Sequence, residues 1–269
     1  MIKTPRNIKS QRLFLRAPLS AGAMVPLERP QMNYLVNVLR LPEGAVIRTF
    51  NGRDGEWQAR LIREGRKTWQ LEIDQPTRPQ TSESDLHYLF APLKQARLDY
   101  MVAKAVEMGV GRLRPVLTQH GQVTRLNAAR MEANAIEAAE QCGLLTVPTI
   151  DDPKSLEALI YDWVEHEGDR RIIFCDESER RSDPLSILSG LGPSPLAVLI
   201  GPEGGFSEKE RQMLGALPFV TGVPLGPRIM RADTAAIAAL ALVQAVLGDW
   251  REMPPQQYSD RSIRVEGGK

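Results

Sequence analysis

Two segments of the chain hold residues whose types and spacing suit ligand chemistry. The first is Leu199-Ile200-Gly201-Pro202-Glu203-Gly204-Gly205-Phe206-Ser207-Glu208-Lys209-Glu210. Its glycines let a ligand approach the backbone closely, and Ser207 with Glu210 three residues on forms a capping box that starts a helix. The second is Leu225-Gly226-Pro227-Arg228-Ile229-Met230-Arg231-Ala232-Asp233-Thr234, which leads into the apolar run Ala235 to Leu247. Asp233 or Thr234 is the expected N-cap. Arg228 and Arg231 stand just ahead of that helix start, where the dipole disfavours cations, so an anionic or electron-rich group is expected to offset them. GPEGGF is neither a dinucleotide fingerprint nor a P-loop. Alone, the first loop fits a tight turn without ligand equally well; the second segment tips the reading towards binding.

These segments need elements to hold them. Arg171 to Cys175 and Leu196 to Ile200 are continuous apolar runs, the pattern of strands buried on both faces of a parallel sheet, and ligands of such sheets bind beyond the carboxyl ends of the strands. Around them strands and helices alternate. Leu86 to Ala91 reads as a strand; Leu98, Met101, Val102, Ala105 and Met108 share a helical face closed by Gly109; Val116-Leu117 is a weak strand; Asn127 to Gln141 is a helix stopped by Gly143. This alternation is α/β. The run Ala235 to Leu247 is too short to cross a bilayer and too apolar for solvent. It is expected against the sheet or a second subunit, and its Gln244 needs a partner.

The front of the chain reads differently. Ala45 to Phe50, a turn at Asn51 to Gly55, alternation at Trp57, Ala59 and Leu61, a turn at Glu64 to Arg66 and alternation at Trp69, Leu71 and Ile73 give three short strands, hence a small barrel or sandwich. Trp57 and Trp69 are then barrel core before they are base-stacking platforms. Met32 to Leu41 has helical spacing and ends at Pro42. Gln75 to Ser84 is polar with two prolines and makes a linker; Ser178 to Pro195 reads as loop and Gln256 to Lys269 as a disordered tail.

Of 269 residues, 42% are hydrophobic and 25% charged, which fits a soluble globular protein and excludes bulk disorder. No apolar run approaches the roughly 20 residues of a membrane span, and the start lacks a secretion signal. A cytoplasmic protein without a membrane partner is expected. Cys142 and Cys175 lack metal-ligand spacing, so neither a disulfide framework nor a metal is indicated and buried reduced thiols are expected. The net charge of +1 conceals a split: residues 1–80 carry 14 Lys/Arg against 7 Asp/Glu, and residues 81–269 carry 20 against 26. A basic front on an acidic body suggests a polyanion-binding attachment. Arg12, Arg16, Arg40, Arg48, Arg53, Arg60, Arg63, Arg66 and Lys67 are candidates to neutralise phosphates. His87, His120 and His166 are given no role.

The two glycine segments together resemble the RsmE family of the SPOUT methyltransferase superfamily, which methylates N3 of a uridine in 16S ribosomal RNA. LIGPEGGFS and LGPRIMRADT match the family's LIGPEGG-(hydrophobic)-S and LG-x-R-(I/V)-L-R-x-E-T. KAVEMGV (104–110), AAEQCG (138–143) with Val147-Pro148, Val38-Leu39-Arg40 and Phe50-Asn51-Gly52 follow its other motifs in order. The chain departs from the pattern at Asn33, at Thr118-Gln119-His120, at Leu144 and at Asp233, where the family often has His, Ser-Glu-Arg, Arg and Glu.

The resemblance implies a PUA-like RNA-binding β-barrel over residues 1–75, a linker over 76–84, a SPOUT domain over 85–251 with a parallel sheet and a C-terminal trefoil knot, and a flexible tail over 252–269. It implies a homodimer acting on 16S rRNA or the small ribosomal subunit. It implies S-adenosylmethionine, without metal, held by Ile200, Gly201, Pro202, Glu203, Gly204, Gly205, Leu225, Gly226, Ile229, Met230, Arg231 and Thr234. Arg231 is then the candidate to stabilise a uracil anion or a phosphate, and Glu203 or Glu140 to accept the N3 proton or orient the base, although Glu203 equally fits a loop cap. Arg12, Arg16 and Arg40 are the first candidates for RNA contact. Alternatives are another SPOUT activity on a ribose or different base of rRNA or tRNA, or a non-catalytic RNA-binding assembly factor.

Overall fold

The structure, a computed structural model, describes residues 11–65, 68–123, 125–176 and 183–252. Its front is a five-stranded sheet in the order β1-β3-β4-β5-β2, formed by β1 (Arg12–Phe14), β2 (Met24–Pro26), β3 (Val46–Phe50), β4 (Glu56–Arg63) and β5 (Trp69–Arg78). β1 is parallel to β3 and the remaining pairs are antiparallel. The three expected strands are therefore the middle of a larger sheet whose edges, three residues each, are too short to show a period. Gly52 and Gly55, at φ 82° and 80°, make the turn from β3 to β4 with the positive φ that glycine tolerates. Alternation holds: Ala59, Leu61, Leu71 and Ile73 are buried and Arg60 is exposed, with Trp57 and Trp69 half-buried against that core.

Two local expectations are revised. The β4–β5 ladder continues to Arg78, inside the expected linker, and Pro76 is tolerated because it faces Trp57 at a bulge. The helix expected at Met32 starts earlier, as α1 (Arg29–Met32), and passes into a π-helical turn over Asn33–Val38. That turn ends with Arg40 in the left-handed region at φ 54°.

Behind the front lies a parallel sheet in the order β12-β10-β11-β6-β7-β8, with β9 also on β7. Its strands are β6 (Leu86–Phe90), β7 (Arg112–Leu117), β8 (Thr149–Ile150), β9 (Lys154–Ser155), β10 (Arg171–Cys175), β11 (Leu196–Ile200) and β12 (Val220–Gly222). Helices α2 (Gln95–Glu107), α3 (Ala128–Cys142), α5 (Pro184–Ser189) and α7 (Ala232–Val246) share one core with Leu196, Val198 and Ile200 of β11. Helices α4 (Leu156–His166) and α6 (Glu208–Gly215) share the other with Ala197 and Leu199. Both faces of β11 are covered, which is why its sequence is continuously apolar. The architecture is the expected α/β fold, a small front sheet joined to a parallel-sheet domain.

Within the segment expected to be loop, residues 184–189 form α5, with Asp183 capping it and Pro184 in its first turn; residues 177–182 lie outside the described residues. α7 starts at Ala232 with Arg231 as N-cap, not Asp233 or Thr234. Asp233 instead lies in the first turn, where its Oδ1 accepts from the Thr234 N–H at 2.9 Å and its charge suits the dipole. Gln244 finds partners: its Nε2 donates to Met108 O at 2.7 Å and its Oε1 accepts from Asp249 N at 3.1 Å. Both cysteines are free, but Cys142 is exposed and Cys175 only half-buried, which corrects the expectation of buried thiols. Among the described residues no helix is long and apolar enough to cross a membrane. The tail from 253 to 269 lies outside the described residues.

Candidate active site

β10 and β11 are parallel neighbours that end in register, Cys175 opposite Ile200, so the chain leaves both strands at one edge of the sheet. Beyond Ile200 the segment 201–206 folds back on itself, the Gly205 N–H bonding to Pro202 O at 2.9 Å with Gly205 at φ 66°. A Cβ on Gly201 would sit 2.6 Å from Phe206 Cε2. Phe206 can yield only at a cost, being 2% exposed and packed edge-on against Phe174 at 5.0 Å between centroids. Glycine at 201 is thus required by the ring beside it.

The capping box forms as expected. Glu210 N donates to Ser207 Oγ at 3.3 Å, while Ser207 N donates to Glu210 Oε2 at 2.8 Å. The buried Glu210 does more than cap, since its Oε1 accepts from the Gln119 N–H at 2.8 Å and ties the loop after β7 to the glycine loop. The next residue strengthens the tie: Gly204 O accepts from His120 Nδ1 at 3.1 Å. A side chain on Gly204 would meet the Cβ of His120 at 3.2 Å.

The facing wall is the segment 225–230. Gly226 is in the left-handed region at φ 99° with open space around it, and the backbone of 225–230 makes no hydrogen bond to another described residue. Between the walls lies a cleft lined, among the expected residues, by Ile200, Gly201, Pro202, Glu203, Gly205, Leu225, Gly226, Ile229 and Met230. Gly204, Arg231 and Thr234 are not part of its lining: Gly204 faces His120, Arg231 caps α7, and Thr234 is exposed on the first turn. Arg228, expected to meet an anionic or electron-rich group, also lines it; sequence reasoning missed Cys175, Asp176, Phe206, Pro227, Ala232 and Ala235. Cys175 and Asp176 carry no glycine signal; only the adjacency of β10 to β11 brings them here. The cleft has an apolar floor and two walls of unpaired or turn backbone, which suits a flat heterocycle read by main-chain hydrogen bonds. Arg228 and Arg231 are exposed and form no ion pair among the described residues, leaving both free for an anionic partner.

Glu203 reaches the rim of the cleft and pairs there with Arg97 of α2 at 2.5 Å, both groups being partly exposed. Glu140 lies elsewhere, between the two sheets, where its Oε1 accepts from the Phe14 N–H at 2.8 Å. Burial pushes the Glu140 carboxyl up to about 7, against the pull of the Phe14 hydrogen bond. Arg12 and Arg16 also face α3: Arg12 donates to Ala139 O and Leu144 O, and Arg16 pairs with Glu132 at 2.8 Å. Arg40 is exposed without an ion pair among the described residues, and Arg48 pairs with Glu56 at 3.3 Å. Arg66 and Lys67 lie outside the described residues.

The sequence profile of an RNA methyltransferase domain matches residues 80–244, the part that builds the cleft, and that of an RNA methyltransferase PUA domain matches residues 27–74. The chain belongs to the RNA methyltransferase family. Relatives of this RNA methyltransferase include the ribosomal RNA small subunit methyltransferase E of Rickettsia conorii, 28% identical over 88% of this chain and 96% of that protein. The protein of the same name from Buchnera aphidicola of Acyrthosiphon pisum is 26% identical over 91% and 97%. Among solved structures, a ribosomal RNA small subunit methyltransferase E from Neisseria gonorrhoeae bound to S-adenosyl methionine superposes with a TM-score of 0.77, at 26% identity over 90% of this chain and 99% of that one.

Proposed function

We propose that this RNA methyltransferase binds S-adenosylmethionine in the cleft between the two glycine loops and methylates N3 of a specific uridine in 16S rRNA of the small ribosomal subunit. The observation that carries the reading is the cleft itself. Segments 201–206 and 225–230, which hold the family's motifs, meet at the ends of β10 and β11 in a chain that aligns over 90% of its length with a relative bound to that cofactor.

The residues present fit the cofactor. Ile200, Leu225, Ile229 and Met230 supply apolar surface for an adenine ring, and the backbone of Leu225 to Met230 is open for ribose and ring hydrogen bonds. When bound, the cofactor supplies a methyl group already activated by its sulfonium. The remaining work falls to the chain: holding the uracil in line and helping N3 lose its proton. Arg231, exposed at the N-cap of α7, offsets the charge that grows on the uracil or holds a neighbouring phosphate. Glu203, oriented by Arg97 at the rim, accepts the proton or orients the base.

The front sheet brings RNA to this rim, with Arg40 among its free cations. The knot and the homodimer implied by the motifs belong to the same reading; the outward side of α7, with Ile237, Ala238 and Ala241 only partly covered, is the face for the second copy, and the cytoplasm is the compartment. Calorimetry with S-adenosylmethionine, followed by transfer of labelled methyl to a panel of small subunits, free 16S rRNA and tRNA, tests the reading. Binding with label on 16S rRNA is expected. Label on tRNA alone would move the enzyme to another substrate, and no binding would return it to a non-catalytic RNA-binding factor.

A further inference from the structure

We infer that α3 is a strut that fixes the front sheet relative to the cleft, and that Arg12 is the positioning residue at its base. The inference deepens the reading above and rests on it for the RNA substrate. Arg12 lies on β1 with its side chain only 10% exposed. Its Nη1 donates to Ala139 O at 2.6 Å and Glu140 O at 3.0 Å, its Nη2 to Leu144 O at 2.7 Å, and its Nε to Glu56 Oε1 at 2.8 Å. The guanidinium also stacks over Phe50 at 4.5 Å. Ala139 and Glu140 lie in the last turn of α3 and Leu144 just beyond its Gly143 cap; there the dipole favours a cation, and Ala139 O takes the Arg12 bond in addition to that of the Gly143 N–H. From β5, Arg78 adds a bond to Gly143 O at 2.7 Å. Glu56, 1% exposed, holds the arginines in place, bonded to Arg12 and lying 3.3 Å from Arg48 and 3.7 Å from Arg78.

The far end of α3 is fastened as well, nearer the surface. Arg130 and Asn134 both bond Asp99 of α2, at 2.6 and 2.8 Å, and the same turn of α2 carries Arg97, the partner of Glu203 at the cleft. Arg12, α3, Asp99, Arg97 and Glu203 thus form one run of contacts from the front sheet to the rim, with about 15 Å of helix from Arg130 to Glu140 between its fastenings. RNA gripped at the front presents its target base at a distance fixed by this run, and a misplacement of about 1 Å can cost on the order of a hundredfold in rate. Lysine cannot replace Arg12, because one ammonium cannot reach three carbonyls and a carboxylate as the planar fork does.

The test uses the full-length protein with Arg12→Ala, Arg12→Lys and the double variant Arg12→Ala/Glu56→Gln, the last relieving the charge imbalance at the buried Glu56 should the single change unfold. Measured at saturating S-adenosylmethionine and small subunits, kcat is expected to fall about tenfold to a hundredfold, while cofactor affinity and the KM for subunits stay within about threefold. Amide hydrogen exchange by mass spectrometry gives a readout independent of substrate: faster exchange is expected at Phe14 and also in 95–99 and 201–206. Exchange that rises only at the seam, or an unchanged kcat in a folded variant, would overturn the strut. A wild type that methylates no RNA would overturn the substrate reading, and exchange would then decide the strut alone.

Discussion

Replacing Gly201 by alanine probes the cleft where the structure is least forgiving. The new Cβ would lie 2.6 Å from Phe206 Cε2, 3.0 Å from Cδ2 and 3.1 Å from Cζ, against a comfortable carbon–carbon separation of about 3.5–4.0 Å. The ring must retreat by about 1 Å, yet Phe174 stands behind it at 5.0 Å between centroids and Phe206 is 2% exposed. Overpacking of this kind costs about 1–3 kcal/mol. Phe206 lines the cleft, so the displaced ring or loop reshapes the binding site. If one to two multiples of 1.4 kcal/mol fall on binding, S-adenosylmethionine affinity drops about tenfold to a hundredfold. Calorimetry on Gly201→Ala, with thermal unfolding to confirm the fold, measures the effect. A second change, Phe206→Leu in the Gly201→Ala background, removes the atoms in conflict and is expected to recover most of the loss. Wild-type affinity in Gly201→Ala, or a double variant no better than the single one, would refute the packing argument.

Three further outcomes follow from the same geometry. Glu210→Ala strips the acceptors from the Ser207 and Gln119 amides; the buried Ser207 amide left unpaired costs about 1–3 kcal/mol, while the Gln119 amide, on an exposed residue, can turn to water. A lowered Tm together with weaker cofactor binding is expected, and Glu210→Gln should be milder. Glu140 titrates at about 7 when folded, against 4.5 ordinarily, so the folded state binds the proton more tightly and the wild type loses stability as pH rises from about 4.5 through about 7. Glu140→Gln keeps an acceptor for Phe14 and removes that slope; its advantage in urea midpoint should therefore be larger near pH 8 than near pH 5, and an advantage independent of pH would deny the titration. Glu203→Gln touches only a partly exposed pair with Arg97, worth about 1 kcal/mol or less; Tm and cofactor affinity should hold while turnover falls, and normal turnover would remove Glu203 from the chemistry.

The parts of the fold that could be read from sequence are those whose burial is written locally. β11, and β10 after Arg171, are apolar because helices cover both faces, and the glycines at 201, 205 and 226 mark backbone that a side chain would obstruct or strain. α4 also carried a signal, Leu156, Leu159, Ile160 and Trp163 at helical spacing behind the Ser155 cap, although nothing in the chemistry pointed to it. Other features depend on distant partners. Cys175, Asp176 and Ala235 join the cleft only because β10 lies beside β11 and α7 packs below. Arg12 entered the reading as one basic residue of a basic front, whereas its guanidinium is spent on the end of a helix more than a hundred residues away. Charge counting gives the sign of a region but not the partner of a side chain. Glu203 and Glu140 were equal candidates in sequence; the fold sets one at the rim and the other between the sheets.

The most direct measurement of the central claim is reverse transcription across 16S rRNA after methyl transfer from labelled S-adenosylmethionine to small subunits lacking the modification. A methyl on N3 blocks the pairing edge of uracil, so label accompanied by a new stop at a single uridine is the expected result. Label without a stop would place the methyl on a ribose or a non-pairing position and contradict the N3 assignment.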